Sequence, residues 1–287
     1  MRYGICLLPD MPWRTARPLW ERAEEMGFDH AWTYDHLVWG GLPDARWFSC
    51  IPTLTAAAMA TTRIGLGSFV ISPNFRHPAA LAREVQTLVD ISDGRLLLGL
   101  GSGGSPDDQL LGGEKLTPGQ RVGRFQEFAT LLRRTLSEDH VSVDGDWFAI
   151  NDMRLVGGSV LPRVPLIIAG DGPRSVRFAA RHGDAWVTTG GSGDTLDEWF
   201  TRVAHNREVY EQTRADAGHA STPDTYLSIN AAPGNPLESI GRFDEISSRA
   251  AGLGFTDLIV HWPRVAEPYR GDVAVLDALA ARGLAAR

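Results

Sequence analysis

Eight short apolar runs recur along the chain: Tyr3–Leu8, His30–Tyr34, Ile64–Ile71, Leu96–Leu100, Leu166–Ala169, Ala185–Thr188, Tyr226–Asn230 and Asp257–His261. Several are continuous in Ile, Leu and Val, the pattern of parallel strands covered on both faces. Between them apolar residues return at helical spacing. Leu81, Val85, Leu88 and Val89 follow Pro78, which suits a first helical position. Gly27 ends the first helical stretch as a C′ residue, and Arg174–His182 and Glu238–Gly252 read as further helices. Strands alternating with helices imply a parallel sheet, and eight such units predict an α/β chain folded as a (β/α)8 TIM barrel. A doubly wound sheet would place a glycine fingerprint after the first strand, where this chain has Pro9-Asp10-Met11-Pro12. One segment interrupts the alternation. Val141–Ile150 reads as a β-hairpin around Asp144-Gly145, inserted before the fifth strand. Without an internal repeat or a low-complexity linker, residues 1–287 are expected to form one barrel domain.

Composition narrows the chemistry. There are 28 basic and 35 acidic residues for a net charge of −7, and Lys115 is the one lysine among the basic residues. A P-loop, which needs a lysine after a GxxxxG loop, is excluded. Lys115 lies in a glycine-rich, loop-like stretch, a poor place to desolvate an amine for Schiff-base chemistry. Any phosphate must then be held by arginine or by backbone N–H groups. Net acidity without a basic stretch argues against nucleic acid as a partner. Two cysteines, Cys6 and Cys50, are too few for a disulfide framework. The N-terminal run lacks the layout of a signal peptide, and no stretch reaches the length of a membrane span. A cytoplasmic protein acting on a small molecule is expected, with no membrane partner.

In a (β/α)8 barrel the chemistry collects where strands pass into the following loops. The second exit, Asp35-His36-Leu37-Val38-Trp39, stands in a stretch rich in aromatics: Trp32, Tyr34, Trp39, Trp47 and Phe48. Aspartate can accept a hydrogen bond from a cofactor ring, and histidine can exchange a proton near neutral pH, so Asp35 and His36 are the catalytic candidates. The alternative makes Asp35 a loop cap and His36 a packed residue. Met11 at the first exit, Trp39 at the second, and His261 with Trp262 at the eighth are expected to wall the substrate pocket. The fifth exit, Ala169-Gly170-Asp171-Gly172, and the sixth, Thr189-Gly190-Gly191, are glycine-rich. They fit a phosphate held by backbone N–H groups at a helix start, unless the glycines only permit tight turns. The fourth exit, Gly101-Ser102-Gly103-Gly104-Ser105, resembles a serine-hydrolase elbow only loosely, because Ser105 stands in place of the second glycine. HxH, HExxH and CxxC patterns are absent, and no metal is expected.

Several ordered motifs resemble the bacterial luciferase-like flavin and deazaflavin oxidoreductases. They are Glu24-Glu25-Met26-Gly27-Phe28-Asp29 leading to Tyr34-Asp35-His36, and Thr62-Arg63-Ile64-Gly65-Leu66-Gly67 leading to Ser72-Pro73-Asn74-Phe75-Arg76-His77-Pro78. Asp93-Gly94-Arg95 running into Gly99-Leu100-Gly101 follows, and Pro165–Gly170 with Ala180–Trp186 completes the set. The likeness covers residues 1 to about 195 and includes the hairpin.

The resemblance implies coenzyme F420, a deazaflavin, or alternatively FMN, bound in the barrel mouth. It implies a bulge at Phe69-Val70-Ile71, often with a non-proline cis peptide, behind the cofactor ring. It places the cofactor phosphate at Gly170 and at Thr189-Gly190-Gly191, and puts Asp107 where relatives carry a cofactor-binding asparagine. Asp35 would hold the ring's polar edge and His36 would donate a proton. Sugar-phosphate dehydrogenases of the family carry a catalytic glutamate where this chain has Gly104, so sugar-phosphate oxidation is not expected. The implied activity is F420-dependent hydride transfer that reduces an activated C=C or C=N bond. The alternatives are a monooxygenase using FMNH2 and oxygen in a two-component system, and a non-catalytic flavin-binding protein. A homodimer is implied as well.

Overall fold

The computed structural model describes residues 1–104, 107–156, 162–219 and 221–283. Eight strands close into a barrel of parallel pairs: β1 (Arg2–Cys6), β2 (His30–Thr33), β3 (Gly65–Ser68), β4 (Leu96–Leu100), β7 (Leu166–Ala169), β8 (Ala185–Thr188), β9 (Thr225–Ser228) and β10 (Asp257–His261). Pairing of β1 with β10 closes the ring and sets Cys6 beside His261. Between the barrel strands run α1 (Trp13–Glu25), α2 (Cys50–Ala60), α3 (Pro78–Ile91), α5 (Pro118–Ser137), α6 (Pro173–His182), α7 (Leu196–Asp216) and α8 (Ile240–Gly252). The short α4 (Asp107–Leu110) precedes α5, and α9 (Val273–Ala281) follows β10. Strand β5 (Val141–Asp144) pairs antiparallel with β6 (Ala149–Met153), as the hairpin pattern predicts. Glu127 on α5 holds its turn by accepting the N–H groups of Asp146, Trp147 and Phe148. Among the described residues no helix is long and apolar enough to cross a membrane.

Four runs are shorter as strands than their apolar pattern. Leu7, Leu8, Tyr34, Ile229 and Asn230 extend past their ladders into the rim, Ile229 within a 3₁₀ turn. In the third run the ladder stops at Ser68, the Phe69–Val70 peptide is cis, and pairing returns as one bridge between Ile71 and Leu100. That is the position the family resemblance implies for the bulge.

Side chains of alternate residues enter the barrel. Trp32, Tyr34, Tyr226 and Ile259 form the inner cluster, while Ile5, Leu66, Leu98, Val260 and Trp262 join the layer between sheet and helices. The floor is polar. His30 Nε2 lies 2.9 Å from Asp257, whose carboxylate also receives Arg2, and Trp32 Nε1 donates to His30 Nδ1 at 2.6 Å. Room for these rings comes from glycine. A Cβ on Gly4 would stand 2.0 Å from His30 Nδ1, and one on Gly67 would stand 2.0 Å from Trp32.

Candidate functional site

The second exit divides by strand parity. His30, Trp32 and Tyr34 face the barrel interior, so Asp35 turns outward between α2 and α3. It is 2% exposed there and binds Arg76 through both oxygens at 2.6 and 2.7 Å. Arg76 in turn meets Glu84 on α3 at 2.9 Å. Burial pushes the Asp35 carboxyl above its ordinary value, against the opposing pull of the Arg76 guanidinium. Asp35 therefore ties the second exit to the third and is not placed to hold a cofactor ring, which corrects the sequence expectation.

His36 lies at the rim. Its Nδ1 lies 2.6 Å from Oδ2 of Asp107, while Oδ1 of the same carboxylate accepts the backbone N–H groups of Leu37 and Val38 at 3.0 and 3.1 Å. A carboxylate receiving bonds on both oxygens requires Nδ1 to be the donor, and this fixes the tautomer. Nε2 remains on a ring that is 25% exposed and packs near Tyr34 and Trp47. Asp107, expected to bind cofactor, is instead fully buried as the partner of His36.

The glycine exits border a cavity of about 410 Å³. It is lined by Phe69 and Val70 of the bulge, Gly101–Gly103, Ala169–Asp171, Ser175 and Val187–Thr189. Gly101 brings bare backbone against Val70; a Cβ there would approach Val70 Cγ2 to 2.6 Å. Ile71 does not reach this cavity and packs outward at 0% exposure. Helix α6 starts at the cavity edge with Gly172 as N-cap, Pro173 as its first residue and no side-chain cap among the described residues. Its first N–H groups are thus available to an anion, and Gly172 and Gly191 face open space. The sixth exit differs from expectation. Asp171 accepts from Thr188 Oγ1, Thr189 N and Thr189 Oγ1, and the N–H groups of Gly190 and Gly191 go to the two threonine hydroxyls. Gly190 serves packing, since a Cβ would meet Val203 at 2.4 Å. These donors satisfy the loop itself, so the unpaired N–H groups beside the cavity are those at the start of α6. A deazaflavin or flavin phosphate fits the chemistry of that helix start.

The pocket wall is reassigned in part. Trp39 lies at the mouth, edge-on to Tyr34 with ring centroids 5.2 Å apart. His261 also faces the mouth, its Nε2 2.8 Å from the Tyr34 hydroxyl. Trp262, the next residue, falls on the outer side and packs in the sheet–helix layer with Arg22 over its ring. Met11 lines a separate groove of about 190 Å³ with Trp13, Phe48 and Pro52. Two residues not singled out from the sequence support these side chains, Arg76 beneath Asp35 and Tyr269 beside Tyr34. Arg76 follows the third strand within a motif already noted, so its charge was a usable signal. Tyr269 comes from a distant loop, and no local pattern marks it. Ser105 lies outside the described residues.

Burial holds the His261 imidazole down to about 3, from an ordinary value of 6.5. Between those values the unfolded chain takes up a proton that the folded chain does not. The stability contributed by neutral His261 is thus complete above about pH 6.5 and is lost as pH falls toward 3. Urea unfolding between pH 6 and 4 is expected to show a loss approaching about 1.4 kcal/mol per pH unit from this group. The His261→Gln variant should lack that component, and equal pH slopes for the two proteins would disprove it.

The sequence model of the luciferase-like monooxygenases matches residues 1–236. An F420-dependent glucose-6-phosphate dehydrogenase of Amycolatopsis mediterranei is 34% identical over 203 residues, covering 68% of this chain and 60% of that protein. An F420-dependent hydroxymycolic acid dehydrogenase of Mycobacterium tuberculosis is 32% identical over 171 residues, covering 58% of this chain and 46% of that protein. The chain thus matches less than two thirds of the length of these curated relatives. A solved F420-dependent secondary alcohol dehydrogenase in complex with an F420–acetone adduct has a TM-score of 0.82 at 18% identity, with 98% of this chain and 97% of that one covered. At that identity the likeness is one of fold. The motifs, the barrel and the sequence match agree, and the chain belongs to the luciferase-like monooxygenase family.

Proposed function

We propose that this chain is an F420-dependent oxidoreductase that reduces an activated C=C or C=N bond in a small, uncharged substrate. The observation that carries this reading is the His36–Asp107 pair, set at the rim of the barrel whose bulge and α6 start border the 410 Å³ cavity. The F420 dependence named for the relatives supports it. When bound, a 5-deazaflavin supplies hydride from ring carbon and does not usefully activate oxygen. The residues of this chain do the rest. The first N–H groups of α6 would hold the phosphate, Phe69 and Val70 would back the ring, and the aromatic rim would exclude water. Protonated His36 gives its Nε2 proton to the far end of the double bond, while Asp107 keeps the Nδ1–H bond throughout.

Sugar phosphate is not the proposed substrate. Gly104 has open space where the resemblance calls for a glutamate, and Lys115 is the sole lysine. One barrel domain over residues 1–287, acting as a homodimer, belongs to the same reading on the family likeness.

The test is cofactor choice. Fluorescence titration is expected to give micromolar F420 affinity and at least tenfold weaker FMN binding. Oxygen-dependent product formation with FMNH2, together with F420 affinity no better than millimolar, would overturn the proposal.

A further inference from the structure

Tyr34 points into the barrel mouth from β2 and makes two contacts that the His36 chemistry does not use. Its hydroxyl lies 2.8 Å from Nε2 of His261 and 2.9 Å from the hydroxyl of Tyr269. His261 stacks on Tyr269 with ring centroids 3.7 Å apart and an interplanar angle of 15°, and Trp39 lies nearly parallel to Tyr269 at 6.0 Å. Nδ1 of His261 is buried without a hydrogen-bonding partner among the described residues.

These contacts limit where the protons sit. A phenol has one proton to donate, so the chain can run in two directions. If Tyr34 donates to Nε2, the neutral imidazole carries its proton on Nδ1, and a buried N–H is left with nothing to receive it. An unmade buried donor costs about 1–3 kcal/mol. If Nε2–H donates to Tyr34, Tyr34 donates to Tyr269, and the Tyr269 O–H is left over on a partly buried side chain. The second direction leaves Nδ1 as a bare acceptor in place of that orphan N–H, and unpaired N–H groups are the rarer of the two in buried sites; each bond in this direction also polarises the next.

The segment carrying Tyr269 is fixed across the rim. Arg264 N–H donates to the Tyr269 carbonyl at 2.9 Å, Gly271 N–H donates to the Arg264 carbonyl at 3.1 Å, and the Arg264 side chain meets Asp10 at 2.8 Å. The Arg264 guanidinium that holds this segment is itself paired with Asp10.

We propose that the Tyr269 hydroxyl, backed by Tyr34 and His261, is the hydrogen-bonding site for a carbonyl oxygen of a planar, uncharged substrate such as an enone or a quinone. This rests on the hydride-transfer reading and adds its substrate class. A hydrogen bond to that oxygen draws electrons from a conjugated C=C bond. The β-carbon then accepts hydride, and the neighbouring carbon takes the proton from His36.

The test is a binding comparison on enzyme loaded with oxidised F420, where no turnover intervenes. Menadione is the carbonyl probe and 2-methylnaphthalene its counterpart without oxygen, both followed by tryptophan fluorescence. Tyr269→Phe is expected to weaken menadione binding about fivefold and to leave 2-methylnaphthalene and F420 affinities unchanged. Tyr34→Phe, which cuts the relay behind Tyr269, is expected to weaken menadione alone by a smaller factor. Long-range proton–nitrogen NMR of the wild-type protein is expected to place the His261 proton on Nε2. Unchanged menadione binding in Tyr269→Phe, equal loss for both probes, or a proton on Nδ1 would each overturn the proposal. If FMN proves to be the bound cofactor, the F420 reading fails separately, and the same comparison on FMN-loaded protein still tests Tyr269.

Discussion

Replacing His36 with alanine is expected to slow hydride transfer about 10²- to 10⁴-fold, the usual range for a positioned acid or base, with F420 affinity changed less than threefold. The cofactor site proposed here is built from the bulge and the start of α6, so the two measurements separate. Asp107 gives the prediction a second arm. Its two oxygens serve three donors: the backbone N–H groups of Leu37 and Val38 on one, and His36 Nδ1 on the other. Asparagine has one acceptor oxygen. In Asp107→Asn that oxygen can satisfy the two backbone donors, and the amide N–H₂ then faces Nδ1. The imidazole must accept there and carry its proton on Nε2, which removes the tautomer that takes a proton back at Nε2. Slowed turnover with intact F420 binding is the expected result in single-turnover absorbance measurements at 420 nm. An unchanged hydride-transfer rate in His36→Ala would assign the proton to another group.

The largest stability effect is expected at Arg76. Arg76→Ala leaves the Asp35 carboxylate in a site 2% exposed with its guanidinium partner gone. Breaking a buried ion pair from one side costs about 3–5 kcal/mol. Urea unfolding should register that loss as a lower midpoint with an unchanged slope. The double variant Asp35→Leu/Arg76→Leu should recover most of it, because no charge then remains buried. A cost below about 1 kcal/mol for Arg76→Ala would show that water reaches Asp35 or that another cation replaces Arg76.

These residues also show what the sequence made legible. The eight runs and the hairpin were readable because parallel strands and a tight Asp144-Gly145 turn leave short-range patterns. Strand ends were less so, since Leu7, Tyr34 and Ile229 continue the apolar run beyond the ladder. Direction was hidden for the same reason that the strands were visible. A strand buried on both faces shows no polar alternation, so nothing local told whether Asp35 or His36, His261 or Trp262, pointed inward. Parity counted from Trp32 and Ile259 in the folded barrel decides both cases. The His36–Asp107 contact spans 71 positions and the Tyr34–Tyr269 contact spans 235. Pairs that distant leave no spacing signal in one chain. Glycine richness identified the fifth and sixth exits, but only the folded loop reveals that Asp171 has already claimed the N–H of Thr189.

The Arg2–Asp257–His30–Trp32 network does more than fill the base of the barrel. With His30, Trp32 and Asp257 almost wholly buried, it closes the base of the barrel among the described residues and leaves the rim as the open end. Under the hydride-transfer reading, a ring lying deep against Phe69 and Val70 has to arrive before the substrate that covers it, and the product has to leave before the spent cofactor can. The order of binding would then follow from a sealed floor far from the reacting atoms, and Tyr269, held across the rim, would stand at the one doorway that both molecules share.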